Sequence, residues 1–275
     1  MKVMKFGGTS VGSPDRMKNV ASLITESGDP TFVVLSAMSG TTNSLIEISN
    51  YLYKKNPDGA NEVINTLEKK YMQHVEELYS TDEYKEKTRE FLREEFKYMR
   101  SFTKDIFTSF EEKSIVAQGE IMSTNMVLNY LQEQGIKATL LSAFDFMRTD
   151  KNAEPDAQYI KEKLTAIMTE NEGYQIYITQ GFICLNAYGE IDNLQRGGSD
   201  FTASLIGVAL GAEEIQIWTD IDGMHNNDPR IVDETDAIRQ LNFEEAAELA
   251  YFGAKILHPT CVQPAKYAGI PVRLK

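Results

Sequence analysis

Short apolar runs separated by amphipathic stretches organise the start of the chain. Residues 2–6 (Lys-Val-Met-Lys-Phe) read as a strand, residues 14–27 as a helix, and residues 31–36, just after Pro30, as a second apolar strand. Strand, helix and strand in that order form a βαβ unit, which predicts a parallel sheet. The texture changes over residues 44–134. There Val63, Leu67, Tyr71 and Val75 recur at helical spacing with Glu and Lys between them, which predicts a helical excursion from the sheet. Sheet signals resume at 138–141, followed by a helix over 155–171 and a continuous apolar strand over 174–186. Tyr188-Gly189-Glu190 reads as a turn before another short strand. A helix over 201–210, a buried strand over 215–218, a helix over 243–252 opened by an Asn242/Glu245 capping box, and a strand over 270–274 complete the pattern.

Composition narrows what such an α/β chain does. The 275 residues allow one large core or two closely joined lobes. Asp and Glu outnumber Lys and Arg by 41 to 28, and a net charge of −13 repels nucleic acid and acidic membranes. No apolar run approaches the ~18 residues of a membrane span, and the N-terminus lacks a signal-peptide pattern. Two cysteines far apart, Cys184 and Cys261, read as reduced thiols of a cytoplasmic protein. The charges over 83–100 read as a solvated helix face.

Against that acidic background, cations in glycine turns are candidates for holding an anion. Lys5-Phe6-Gly7-Gly8-Thr9-Ser10-Val11 ends the first strand. Ser36-Ala37-Met38-Ser39-Gly40-Thr41-Thr42-Asn43 follows the second, and Arg196-Gly197-Gly198-Ser199-Asp200 opens a later helix. Each offers backbone N–H groups and a helix dipole end, and in open α/β sheets such turns gather at the carboxyl ends of strands. None closes with Gly-Lys-Ser/Thr and none is a dinucleotide fingerprint, which disfavours a P-loop enzyme and a Rossmann dehydrogenase. Three Ser/Thr-rich turns, two of them with an internal or adjacent cation, point to a phosphate site.

These three segments resemble those of the aspartate kinases, within the amino-acid-kinase superfamily. Further matches follow in the family's order: Gln118-Gly119-Glu120, Trp218-Thr219-Asp220-Ile221-Asp222-Gly223, Asp228-Pro229-Arg230 and Phe252-Gly253-Ala254-Lys255-Ile256-Leu257-His258-Pro259. The resemblance spans residues 5–259. It implies a three-layer α/β/α sandwich with a mainly parallel central sheet and a helical insertion over the substrate site. It divides the chain into a substrate lobe of about 1–195 and a nucleotide lobe of about 196–275. It also implies transfer of the γ-phosphoryl group of ATP, with Mg²⁺, to the side-chain carboxylate of L-aspartate, the first step of lysine, threonine and methionine biosynthesis.

That chemistry is physically coherent with the residues present. A carboxylate acceptor with a pKa near about 4 is already ionised at neutral pH and needs no general base. Positioned cations and N–H donors should therefore dominate. The resemblance makes Lys5 the γ-phosphate and transition-state cation, with Gly7, Gly8 and Ser10 beside it and Asp200 orienting it. An N-cap before the helix over 201–210 is the plainer reading of Asp200. For the acceptor, Arg196 offers a planar fork to the α-carboxylate, and Glu120 suits the α-ammonium. Ser36, Thr42, Gly197 and Ser199 complete the substrate set. By itself, Glu120 reads as a solvated helix acid.

On the nucleotide side the matching positions are Thr219, Asp220, His225, Asp228, Arg230 and Lys255. Lys255 also fits as a partner for a helix C-terminus. Asp220, Asp222 and Asp228 could form a metal cage, but Mg²⁺ arriving with ATP and keeping most of its waters fits better, so no protein metal site is expected. His74, His225 and His258 lack zinc spacing and read as structural.

The chain departs from the family at Gln195, where glycine is common, and at His225, where tyrosine is common. Family members usually continue into ACT domains that bind feedback amino acids. The sequence ends at Lys275 ahead of any such region, and a homo-oligomer is expected of the full-length form. Two alternatives remain: a related kinase acting on another carboxylate or on uridylate, and a non-catalytic nucleotide- or amino-acid-binding regulator.

Overall fold

A computed structural model describes residues 1–104, 106–194, 197–221, 223–229, 231–253 and 257–275. Its centre is a parallel six-stranded sheet in the order β3-β4-β2-β1-β7-β8. The strands are β1 (Lys2–Phe6), β2 (Thr31–Leu35), β3 (Ala138–Leu140), β4 (Ile176–Gln180), β7 (Glu214–Trp218) and β8 (Val272–Leu274). Every pairing within it is parallel, from Lys2 opposite Thr31 and Glu214 to Ala138 opposite Ile176. β2 and β4 are buried throughout, as strands covered on both faces must be. Alternation sorts their side chains into two layers. Met4, Phe6, Val33, Leu35, Ile176 and Ile178 face one core, while Val3, Phe32, Val34, Tyr177, Ile215 and Ile217 face the other.

The first core is covered by α1 (Pro14–Thr25) and by an excursion between β2 and β3. That excursion comprises α2 (Thr41–Tyr53), α3 (Pro57–Leu78), α4 (Asp82–Ser101), α5 (Ser109–Val116) and α6 (Gln118–Glu133). α7 (Ala143–Phe146), α8 (Ala157–Glu170), α9 (Gly198–Leu210) and α11 (Gln263–Ala268) cover the second core. α10 (Phe243–Tyr251) begins with the expected capping box: the Asn242 side chain accepts from Glu245 N, and the Glu245 carboxylate accepts from Asn242 N. The three-layer α/β arrangement is therefore as expected. The polar face of α4 is laced with Arg89–Glu76, Arg89–Glu86 and Arg93–Glu86 pairs, exposed and worth little individually.

Three boundaries differ from expectation. The apolar run over 174–186 is not one strand. It breaks at Gly181-Phe182, where Phe182 adopts a left-handed φ of 68°. Beyond the break, β5 (Ile183–Leu185) leaves the sheet and pairs antiparallel with β6 (Ile191–Asn193). Hydrophobicity does not show this, because Ile183 and Cys184 are buried in the hairpin just as a strand of the covered sheet would require. In consequence, the Gly197-Gly198 turn follows the hairpin rather than a strand of the central sheet. Finally, α9 starts at Gly198 and not at 201, so Asp200 lies in its first turn and Gly197 holds the N-cap position.

Candidate active site

Lys5 sits at the carboxyl end of β1, between β2 and β7, at the sheet position where connections depart to both sides and ligands bind in open α/β folds. Its Nζ lies 2.7 Å from Asp200 Oδ1 at the start of α9, and both side chains are largely buried. Asp200 is thus a partner of Lys5 and not an N-cap. The turn after Lys5 is held by Ser10 N donating to Gly7 O (3.0 Å) and by Arg16 reaching Thr9 O (2.7 Å). Gly8 is required by close approach: a β-carbon there would stand 2.8 Å from Ala37 O, and Ser39 N donates to Gly8 O at 3.0 Å. The first two glycine turns are therefore bonded to each other.

Beside them opens a cleft of about 370 Å³, lined by Gly8, residues 36–40, Thr42, Asn43, Glu120, Phe182, Gly198 and Ser199. Ser36 Oγ donates to Ser199 Oγ at 2.8 Å, joining the second turn to the third. Two helices begin here, α2 behind Gly40 and α9 behind Gly197. Each is entered through a left-handed glycine, and neither has a side-chain cap. Thr41 N donates to Met38 O at 2.9 Å and Asp200 N to Gly197 O at 2.8 Å; the other early N–H groups and the positive dipole ends can receive an anion. α1, α3, α5, α8 and α10 carry side-chain caps from Ser13, Asn56, Thr108, Asp156 and Asn242, while α4, α6, α7 and α11 are also uncapped.

Glu120, in the first turn of α6, is only 4% exposed, so it is not a solvated helix acid. One carboxylate oxygen accepts from Ala37 N at 3.2 Å, and the other, Oε2, is buried without a hydrogen-bond partner. Burial raises its pKa from 4.5 to about 8, against the smaller opposing pull of the Ala37 N–H. Ser123, one turn on, donates to Ser36 O at 2.8 Å and locks α6 to the same loop. An acid left with an empty lone pair in such a place has the chemistry to receive a ligand cation.

Thr219 and Asp220 follow β7, on the same sheet edge as Lys5. A β-carbon on Gly7 would lie 4.0 Å from Trp218 O, and Trp218 stacks on Phe6 at 5.6 Å. Thr219 accepts from Ile221 N and donates to Asp220, closing a tight turn. His225 is buried and bonded to Thr235 through Nδ1 at 2.9 Å, while Asp228 is buried with its carbonyl accepting from Ile231 and Val232 N. Gln195, Arg196, Asp222, Arg230 and Lys255 lie outside the described residues. Lys5, Gly8, Ser36, Thr42, Glu120, Gly197, Ser199 and Asp200 are brought around one end of the sheet.

Sequence reasoning missed the Ala37 N–H, Asn43, and the Gly181-Phe182 bend whose ring covers Gly198. The glycine inside an apolar run was the available signal for that bend.

The sequence model of the amino acid kinase family matches residues 1–275. Lysine-sensitive aspartokinase 3 of Escherichia coli is 35% identical, over 98% of this chain and 60% of its own length. Chloroplastic aspartokinase 1 of Arabidopsis thaliana is 36% identical, over 99% and 49%. The crystal structure of E. coli aspartokinase III with aspartate and ADP superposes with a TM-score of 0.89 at 32% identity, over all of this chain and 61% of that one. The chain thus spans about half to three-fifths of the relatives it matches. With a matching family model from end to end and the same fold, the chain belongs to the amino acid kinase family.

Proposed function

We propose that this chain transfers the γ-phosphoryl group of ATP to the side-chain carboxylate of L-aspartate, giving 4-phospho-L-aspartate and ADP. The observation that carries the reading is the buried, half-unpartnered Glu120 carboxylate beside two uncapped helix N-termini. A free amino acid supplies an ammonium for Glu120 and carboxylates for the N–H groups. An acceptor without an ammonium, such as uridylate or an N-acylated acid, would leave Glu120 Oε2 unpaired at a cost of about 1–3 kcal/mol. The aspartate- and ADP-bound relative supports the same substrate class.

In this reading Lys5 and the Gly7-Gly8 turn hold the γ-phosphate, and Asp200 keeps the Lys5 ammonium aimed at it. Glu120 binds the α-ammonium and Arg196 the α-carboxylate. Ser36, Thr42, Gly197 and Ser199 surround the side-chain carboxylate. One carboxylate oxygen forms a bond to the γ-phosphorus as the bond to the β,γ-bridging oxygen breaks, and the electron pair leaves on ADP. No proton need move. Lys5 and the turn N–H groups offset the charge gathered on the moving group. Thr219, Asp220, His225, Asp228, Arg230 and Lys255 would hold the nucleotide, with Mg²⁺ carried on its phosphates and largely hydrated. A homo-oligomeric full-length form belongs to the same reading.

Trapping the acyl phosphate as a hydroxamate tests it, with L-aspartate, L-glutamate and N-acetyl-L-glutamate compared in the presence of Mg-ATP. Product from L-aspartate alone or in large excess is expected. Preferential turnover of the N-acetylated acid would overturn the assignment.

A further inference from the structure

The acceptor loop is held from a side that the proposed chemistry does not use. α3, in the middle of the helical excursion, sends two consecutive residues to it. Lys70 Nζ donates to Ser39 O at 3.1 Å, and the Tyr71 hydroxyl is 3.0 Å from Thr41 Oγ1. These anchors lie on either side of Gly40, whose φ of 82° marks the bend into α2. Tyr71 is fully buried and braced edge-on by Phe96 of α4 at 5.9 Å, so its hydroxyl is fixed by the packing of the excursion. Lys70 spends its charged group on a backbone carbonyl at the cleft wall, and a β-carbon on Gly40 would lie 4.0 Å from it.

We propose that Lys70 and Tyr71 are positioning residues that hold Ser39-Gly40-Thr41, and with it the N-terminus of α2, in the geometry that receives the acceptor. α2 has no side-chain cap, and a left-handed glycine is the easiest backbone position to turn. On the sheet side, Ser39 N is tied to Gly8 O. The turn bond from Thr41 N to Met38 O (2.9 Å) closes the loop but does not hold the Ser39–Gly40 peptide inside it; without the Lys70 tie that peptide could rotate and shift the N-terminus of α2 in the cleft. Thr42 and Asn43, which line the cleft, would move with it. The excursion is then part of acceptor recognition rather than an appendage, and its stability is coupled to the affinity for the acceptor.

This inference rests on the cleft being the acceptor site, so the experiment has two independent readouts. Steady-state kinetics of the Lys70→Met, Lys70→Arg and Tyr71→Phe variants would separate the KM for L-aspartate from the KM for ATP. Losing one charge-assisted hydrogen bond should raise the KM for aspartate about tenfold in Lys70→Met. The KM for ATP should change by less than about twofold, and Lys70→Arg should recover most of the loss. Tyr71→Phe should move in the same direction by a smaller factor. An unchanged aspartate KM in both Lys70→Met and Tyr71→Phe, or a parallel rise in both KM values, overturns the proposal.

The second readout needs no substrate. Amide hydrogen exchange at Ser39, Gly40 and Thr41 should quicken about tenfold in Lys70→Met while the amides of β1 keep their protection. Equal exchange in the two proteins would also overturn it. Faster exchange with no turnover of aspartate by the parent protein would sustain the positioning role and reject only the substrate.

Discussion

The sulfur of Cys261 fills the space that a β-carbon on Gly197 would need. Gly197 has a φ of 69° and opens α9, and three residues later Asp200 grips Lys5. Cys261 comes from the 3-10 turn Pro259–Val262, late in the chain, and is fully buried. Burial, reinforced by the nearby Asp200 charge, pushes its thiol up to about 11. At neutral pH a protonated, compact sulfur therefore backs the turn that leads into the Lys5–Asp200 pair.

Gly197→Ala should strain both the backbone and this contact, lowering the unfolding free energy by about 2–4 kcal/mol. Adding Cys261→Ala should restore a large part of that loss, leaving about 1 kcal/mol from the left-handed conformation. Urea unfolding of the two single variants and the double variant measures the coupling. Additive effects would mean that the contact does not set the cost.

In the proposed mechanism Lys5→Ala removes the cation that faces the phosphoryl group, and it leaves Asp200 alone in a largely buried place. Turnover should fall by about 10²–10³ or more, with the KM for ATP changed far less. Asp200→Asn should be milder, because the lysine remains but loses its fixed direction. A variant at Lys5 with near-normal kcat would remove it from the mechanism.

If Glu120 receives the acceptor's ammonium as proposed, binding should depend on pH. With its pKa at about 8 in the free site, the acid is mostly protonated at pH 7, and an ammonium ligand requires the carboxylate. The KM for L-aspartate should therefore rise as pH falls below about 8, approaching tenfold per unit. Glu120→Gln should abolish that slope along with most of the affinity.

The same shift predicts a stability trade-off. The folded free protein holds the Glu120 proton where the unfolded chain, near 4.5, has released it. Its contribution to stability is complete below pH 4.5 and is lost as pH rises towards 8. Glu120→Gln should then be more stable than the parent at pH 8.5 and lose that advantage at low pH. Thermal melts across the range measure the difference, and a constant offset would contradict the buried-acid account.

Gly8→Ala should disturb the acceptor side more than the nucleotide side, although it lies in the first turn. Its β-carbon would press on Ala37 O, a backbone atom with little room to yield. Moving Ala37 to relieve that contact also displaces its N–H, in the adjoining peptide, which holds Glu120. A rise in the KM for aspartate larger than that for ATP is expected in steady-state kinetics.

What the chain determined by itself is local. Lys5-Phe6-Gly7-Gly8 at the end of an apolar strand, Asn242 three residues before Glu245, and the four-residue spacing along α3 are read from neighbours in sequence. Hydrogen-bond geometry and helical or strand periodicity act over a few residues there, so β1, β2, β4, the excursion and the glycine turns after β1 and β2 were legible. Tertiary structure decided the rest. Ser36 meets Ser199 across 163 residues, and Ala37 meets Glu120 across 83. No short-range pattern encodes that Glu120 is buried, since an acid in a helix's first turn reads the same in water or in a cleft. The break at Gly181-Phe182 was hidden because burial on either side of it demands the same apolar residues. Likewise, Lys70 and Tyr71 belong to one amphipathic helix in sequence. Only the packing of α3 against the start of α2 sets their polar atoms on a loop some thirty residues away.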